Sequence, residues 1–437
     1  MKTTEELLID RPDYISRLDA WKDKSSLVKI VTGVRRCGKS KLFTLFQNKL
    51  IKDGISKEQI ISINLEEPDD IRKIGLKYNE KNLLTNYEIL LDYISSKLQS
   101  KKMNYVFIDE IQLLENWQHL ANGLRLKKNT DIYLTGSNAY MFSSDLANTF
   151  GGRYIEIKIQ PFSFKEFYTA YLTKNNLKEK SLQEVYNYYI SESAFPQIIE
   201  FAGKKQLITD YLINTVYLNT IQKDIIKRFN IQYTDKLDSV VKYIFDNIGN
   251  ETSFRNISNS LEFVGQKTSI PSIELYVRGL IDSYLIYKCD RYNIKGKLFL
   301  TGNSKYYVAD IGLRKALIGQ QDKDMGHILE NIVYLELLRR GYNVSVGKID
   351  VYITKNGKKI RETLEVDFVA QKPGEPVEYY QVALYVLDDK TLERELMPLQ
   401  KIRDNNPKYI LSMDYGTGDN NGIKRINVLD WFLDIKR

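Results

Sequence analysis

Two cysteines in 437 residues, Cys37 and Cys289, cannot build a disulfide framework, and a pair so far apart argues for a reducing compartment. Histidine is as scarce: His119 and His327 stand with no cysteine near either, so no zinc-ligand spacing exists. Nowhere do eighteen apolar residues run together, and Met1-Lys2-Thr3-Thr4-Glu5-Glu6 carries charge where an export signal needs an apolar stretch. The expectation is a soluble, cytoplasmic chain with no membrane partner. Nor is there a strong excess of one charge; the net +8 permits an anionic partner without demanding one. With 43% hydrophobic and 27% charged residues the composition is that of ordinary globular domains. At about 150 residues per domain, the length predicts roughly three.

What is present centres on one stretch, Lys29-Ile30-Val31-Thr32-Gly33-Val34-Arg35-Arg36-Cys37-Gly38-Lys39-Ser40. It reads as an apolar strand, a glycine-bounded loop and a helix start, and its last eight residues fit the phosphate-binding pattern G-x-x-x-x-G-K-[ST]. Gly33 and Gly38 let the backbone curl so that N–H groups and the helix N-terminus face phosphate oxygens. The nucleotide contacts expected are Gly33, Val34, Arg35, Arg36, Cys37, Gly38, Lys39, Ser40 and Lys41, with Lys39 on the β- and γ-phosphates and the Ser40 hydroxyl on magnesium.

Two further runs follow in a compatible order. Tyr105-Val106-Phe107-Ile108-Asp109-Glu110 predicts a second buried strand next to the first, with Asp109 binding magnesium through water and Glu110 orienting or deprotonating the attacking water. Asp131 to Asn138 predicts a third strand ending in small polar residues beside the γ-phosphate. Ile60 to Leu65 is another strand candidate, and Leu83, Leu84, Tyr87, Leu90, Leu91 and Ile94 have helical spacing that suits a sheet-covering helix.

Beyond Gln160-Pro161-Phe162 the pattern turns helical, as expected of a lid beside the nucleotide. From Lys236 to about Asp310 the order is three helices and a hairpin around Lys295-Gly296, that of a winged helix-turn-helix whose third helix enters a DNA groove. Lys267, Arg278, Lys295 and Lys297 are the candidate phosphate contacts there, although ten Lys and Arg against eight Asp and Glu make no pronounced basic face.

The last segment begins with a helix carrying Glu330 and continues with strands holding Asp367 and Gln381, an order that resembles the restriction-endonuclease-like fold. The resemblance implies a metal site of Glu330, Asp367 and Gln381, with a lysine two residues after the last. That position is Ala383, which shares the strand face of Gln381, so the ammonium is missing and a vestigial, non-cutting site is expected. Lys390, on a neighbouring element, is the candidate substitute.

Taken together, Val31 to Ser40, Phe107-Ile108-Asp109-Glu110-Ile111-Gln112, Leu134-Thr135-Gly136-Ser137-Asn138, Gly151-Gly152-Arg153-Tyr154, Ala194-Phe195-Pro196, Asp224-Ile225-Ile226-Lys227-Arg228 and Glu365-Val366-Asp367-Phe368 resemble the bacterial and archaeal AAA-type ATPases that carry a C-terminal domain of unknown function. The resemblance implies an α/β fold: a parallel-sheet P-loop ATPase core over 1–160, a helical lid over 161–235, a winged-helix module over 236–310 and a degenerate nuclease-like domain over 311–437. It implies ATP with Mg2+, Ser137 and Asn138 as the first sensor, and Arg153 as an arginine reaching the γ-phosphate of a neighbouring subunit in a homo-oligomer. The function this predicts is ATP hydrolysis coupled to DNA binding or remodelling. The alternatives are a STAND-type nucleotide switch acting on a protein partner and a metal-dependent nuclease.

Overall fold

The computed structural model describes residues 8–137, 150–175, 180–319, 324–355 and 358–435, which form two compact units. The first holds the chain to Pro161 together with Asp282–Tyr284; the second holds 162–281 and 285 onward.

In the first unit, helix α1 (Pro12–Ala20) leads into strand β1 (Val28–Thr32), and helix α2 (Lys39–Lys52) follows the loop after it. Strands β2 (Ile60–Asn64), β5 (Asn104–Asp109), β6 (Thr130–Gly136) and β7 (Tyr154–Lys158) complete a five-stranded parallel sheet of order β2-β5-β6-β1-β7, while β3 (Lys77–Tyr78) and β4 (Leu84–Thr85) pair separately. One expectation is corrected by this order: the Tyr105 strand is not next to β1. β6 lies between them, pairing Ile132 with Val28 on one side and Thr130 with Asn104 on the other. All three runs are fully buried, so the apolar pattern marks each as central without saying which touches which.

Side chains alternate across the sheet with period two. Val106 and Ile108 join Ile30, Ile132 and Leu134 on one face, under Leu90 and Ile94 of α3 (Tyr87–Lys97) and Leu120 and Leu124 of α4 (Trp117–Arg125). Phe107 turns to the other face, where it stacks on Tyr133 at 4.8 Å and meets Phe43 of α2 edge-on at 5.1 Å. Lys29 stands in the middle of β1, fully buried. It is tolerated because its ammonium donates to the carbonyls of Lys24 (2.8 Å) and Leu27 (3.1 Å) and pairs with Asp131, although burial still lowers its pKa.

The second unit opens with helices Phe164–Asn175, Leu182–Glu192 and Ile198–Phe201; Pro196 falls in the break before the last. Lys205–Asp210 continues through two wide-turn π-helical stretches, Tyr211–Tyr217 and Ile221–Ile226, to Phe229. Helices Thr234–Asp246, Phe254–Phe263 and Ile270–Asp282 come next, the last started by Ser269, whose hydroxyl accepts the Ser272 N–H at 3.3 Å.

Strands β8 (Ile286–Asn293) and β9 (Leu298–Val308) form the hairpin expected there, but they do not stand alone. β8 pairs in parallel with β10 (Asn343–Lys355), so the hairpin is one edge of an eight-stranded mixed sheet that continues through β11 (Lys358–Gln371), β12 (Glu378–Val382), β13 (Lys408–Ser412), β15 (Ile423–Asn427) and β14 (Gly418–Asn420). The boundary expected at 310/311 thus falls between hydrogen-bonded parts of one sheet. Helix α5 (Met325–Arg339) packs on this sheet, with Tyr334 stacked on Tyr307 of β9 at 4.3 Å. No helix among the described residues is long and apolar enough to cross a membrane.

Candidate functional site

The carboxyl ends of β1, β5 and β6 converge in the first unit, the place where open α/β sheets receive ligands. From β1 the chain enters the loop at Gly33, whose φ is +148° and whose missing Cβ would lie 2.2 Å from the Ile159 carbonyl oxygen. Only glycine fits that approach. Arg36 and Gly38 also take positive φ, of +66° and +101°, which curls the loop onto the start of α2. Lys39 is buried and donates to the carbonyls of Gly33 (3.1 Å) and Val34 (3.3 Å), so its ammonium spans the loop from inside. Ser40, Arg36 and Lys41 are exposed and Arg35 is half-buried.

Behind the loop lies a residue that sequence reasoning missed. Arg11, just before α1, is buried and donates to the carbonyls of Cys37 (3.1 Å) and Gln160 (2.9 Å), and its guanidinium sits 4.5 Å over the Tyr14 ring. A lone arginine 26 positions upstream gives no sequence signal for such a brace. Cys37 is wholly buried, and burial pushes its thiol up, which makes it a poor nucleophile.

Asp109 ends β5 beside the loop, and its carboxylate accepts hydrogen bonds from the hydroxyls of Ser40 and Thr135. Burial pushes that carboxyl up and the two hydroxyls oppose the shift. These are hard oxygen groups, of the kind magnesium prefers. Thr135 does a second thing: its Oγ1 accepts the Glu110 N–H at 2.9 Å, so one hydroxyl fixes both acids. Glu110 itself has φ +54°, which turns it off the strand line. Its carboxylate accepts from the Gln112 amide, which lies 3.4 Å from the Ser137 hydroxyl. Thr135 and Gln112 were not singled out from sequence; each lies within the quoted runs but shows its use only across strands.

Ser137 is buried at the end of β6, and Asn138 lies outside the described residues. Arg153 is exposed at the other end of the sheet: Tyr154 pairs with Val28, the first residue of β1, whereas Thr32, the last, pairs with Lys158.

The remaining candidates lie in the second unit. Lys267 is exposed and paired with Glu262 at 3.1 Å; Arg278 is exposed beside Glu274 and Leu275; Lys295 donates to the Asp350 carbonyl at 2.6 Å; and Lys297 is exposed with φ +52°. Glu330, Asp367 and Gln381 are all buried and do come together: Gln381 Oε1 accepts the Asp367 N–H at 3.4 Å, and Asp367 Oδ2 accepts the Val382 N–H at 2.7 Å. Asp367 sits where Val346 of β10 faces two residues of β11, a bulge that re-aims its side chain. Burial and the neighbouring Glu330 push its carboxyl up, while Glu330 is held down to about 2, against burial, chiefly by Lys305. Ala383 is buried in the apolar cluster with Val386 and Leu396. Lys390 falls in helix Asp389–Gln400. No group of three or more His, Cys, Asp and Glu side chains placed to hold a metal exists among the described residues.

Residues 25–168 match an AAA domain, and residues 183–324 match a domain of unknown function (DUF8612). An uncharacterized protein of Haemophilus influenzae is 35% identical over 428 residues, covering 98% of this chain and 99% of its own. An uncharacterized protein of Methanocaldococcus jannaschii is 29% identical over 419 residues, covering 92% and 85%. Among solved structures, a Walker-type ATPase of Pyrococcus abyssi aligns with 71% of this chain and 95% of its own at 16% identity and a TM-score of 0.48.

Proposed function

This chain belongs to the bacterial and archaeal family that joins an AAA-type P-loop domain to a domain of unknown function, and from that premise we propose that it is a magnesium-dependent ATPase whose turnover is coupled to DNA. The observation that carries the ATPase part is the carboxylate of Asp109 held by Ser40 and Thr135 beside a loop that only glycine can enter at Gly33.

In this reading the loop N–H groups from Gly33 to Lys41 and the start of α2 cradle the phosphates, and the Lys39 ammonium turns from the loop carbonyls to the β- and γ-phosphate oxygens. Magnesium, held through Ser40 and Asp109, supplies neutralisation of charge on the transferring phosphoryl group. Glu110 orients the attacking water and takes its proton. Gln112 donates to that carboxylate and to the Ser137 hydroxyl, and so ties Glu110 to the end of β6. Asn138 serves as the sensor of the γ-phosphate. Arg153, at the opposite sheet end from Lys39, serves the γ-phosphate of a neighbouring copy, which makes the active form a homo-oligomer.

Coupling to DNA is supported by three helices followed by a hairpin, with Lys267, Arg278 and Lys297 exposed along that segment. In the proposed division of labour the helices of 161–235 transmit nucleotide state and the nuclease-like sheet grips without cutting. The test is ATP turnover of the purified chain with and without single-stranded, duplex and branched DNA across a salt series. Stimulation that fades steeply with salt is expected; DNA-indifferent turnover at low salt contradicts the coupling.

One observation favours a second reading, a nucleotide-controlled switch acting on a protein. Lys267 is already paired with Glu262, Lys295 is spent on a backbone carbonyl, and Glu274 stands beside Arg278, so the surface is less basic than a dedicated DNA reader requires. That reading predicts slow turnover and tightly held nucleotide.

A further inference from the structure

We propose that the ammonium of Lys305, paired with Glu330, takes the place of the divalent metal expected in the second unit, so that Glu330, Asp367 and Gln381 form a closed, metal-free site that locks the β8–β9 hairpin to the rest of the sheet. The inference rests on reading that sheet as nuclease-like, and not on the nucleotide site.

Lys305 and Tyr307 are two apart on β9 and so share one face of the strand. Both reach the same oxygen: Lys305 Nζ is 2.8 Å and the Tyr307 hydroxyl 2.6 Å from Glu330 Oε1. The other oxygen of Glu330 lies 3.5 Å from His327 Nδ1. Of the remaining expected ligands, Asp367 gives one oxygen to the Val382 N–H, and Gln381 turns its carbonyl oxygen to the Asp367 N–H. One oxygen each of Glu330, Asp367 and Gln381 is therefore engaged by a donor of the chain.

The ammonium cannot simply step aside. Lys305 is 4% exposed, and its backbone is in register with Cys289 in the hairpin. It also pairs with Glu365 at 2.7 Å; Glu365 pairs with its cross-strand partner Lys348 at 2.6 Å; Lys348 pairs with Glu251, and Glu251 with Arg291 at 3.2 Å. A divalent ion between Glu330 and Asp367 would sit against this positive charge and strip it of a partner in a buried place, which leaves a buried charge uncompensated. The lysine absent at Ala383 has thus not been replaced for catalysis. A different lysine, from an element outside the expected nuclease segment, fills the cation's place.

The test uses full-length, nucleotide-free protein with Mn2+ as the probe, followed by electron paramagnetic resonance, and thermal unfolding of a double-mutant cycle. Wild type and Glu330→Gln are expected to bind Mn2+ alike. Lys305→Met is expected to lower Tm, and Glu330→Gln combined with it to lower Tm by clearly less than the sum of the two single changes, as directly paired groups do. Mn2+ binding by wild type that weakens about tenfold or more in Glu330→Gln, the loss typical of a perturbed metal site, overturns the proposal; so do additive Tm changes. If Lys305→Met does not fold, the Mn2+ comparison of wild type with Glu330→Gln decides alone. Neither readout involves ATP, so failure here and failure of the ATPase reading are told apart.

Discussion

Arg153 and Lys39 lie at opposite ends of the same strand pair. β7 starts level with the start of β1, at Tyr154 opposite Val28, and Lys39 follows the loop at the other end, past Thr32 opposite Lys158. Five residues at about 3.3 Å each put roughly 15 Å of sheet between the two ends. An arginine side chain does not span that distance around a sheet edge, so any service Arg153 gives to a γ-phosphate is to another copy. Arg153→Ala and Glu110→Gln are each expected to lose most ATP turnover, with the arginine worth about a thousandfold or more if it acts as a finger. Mixed together, they should regain activity, because a site with one copy's Glu110 and another's Arg153 is whole. Steady-state turnover on mixing checks this, and unchanged kinetics would remove the composite site.

Thr135 is predicted to matter more than its place in the sequence suggests. Its hydroxyl donates to Asp109 and accepts the Glu110 N–H, so Thr135→Val removes one support from each acid while keeping the shape of the strand. Loss of such a supporting group costs about 10–100-fold in activity or metal affinity. Turnover against Mg2+ concentration should show a raised magnesium requirement with nucleotide affinity little changed. A Thr135→Val protein with the wild-type magnesium curve would contradict the role.

What could be read along the chain and what could not follow from how each feature is encoded. The phosphate loop is local: four residues between Gly33 and Gly38, then Lys39 and Ser40, specify a turn and a helix start without reference to anything distant. The acids ending β5 are nearly as local. The neighbour of β1 was misread because adjacency depends on which of several equally apolar strands pairs with it. Arg11, Thr135 and Lys305 were missed for a related reason. Each acts on a partner far away in sequence, 26, 26 and 25 positions off, and an isolated Arg, Thr or Lys carries no pattern. The hairpin 286–308 was recognised as a hairpin, but its membership of the larger sheet is a parallel pairing with residues some 55 positions on, as in Arg291 with Val346.

The Glu330 ion pair predicts a pH signature. Burial would raise its carboxyl, yet Lys305, His327 and Tyr307 together hold it down to about 2, below the ordinary 4.5. A carboxylate with a lowered folded pKa contributes stability above its unfolded pKa and loses it as pH falls toward the folded value. The stability difference between wild type and Glu330→Gln should therefore be level near neutrality and shrink between about pH 4.5 and about 2. Denaturant unfolding across that range measures it. A difference that stays constant down to about pH 3 contradicts the pairing.

Whether a nucleoside triphosphate lies in the loop from Gly33 to Lys41 is measured by calorimetric titration of Mg-ATP into wild type and Lys39→Ala. Removing a charged hydrogen-bond donor from the phosphates should weaken binding by at least about tenfold, the low end for such bonds, and turnover should fall with it. Equal affinity and equal turnover in the two proteins would mean that no triphosphate lies against Lys39.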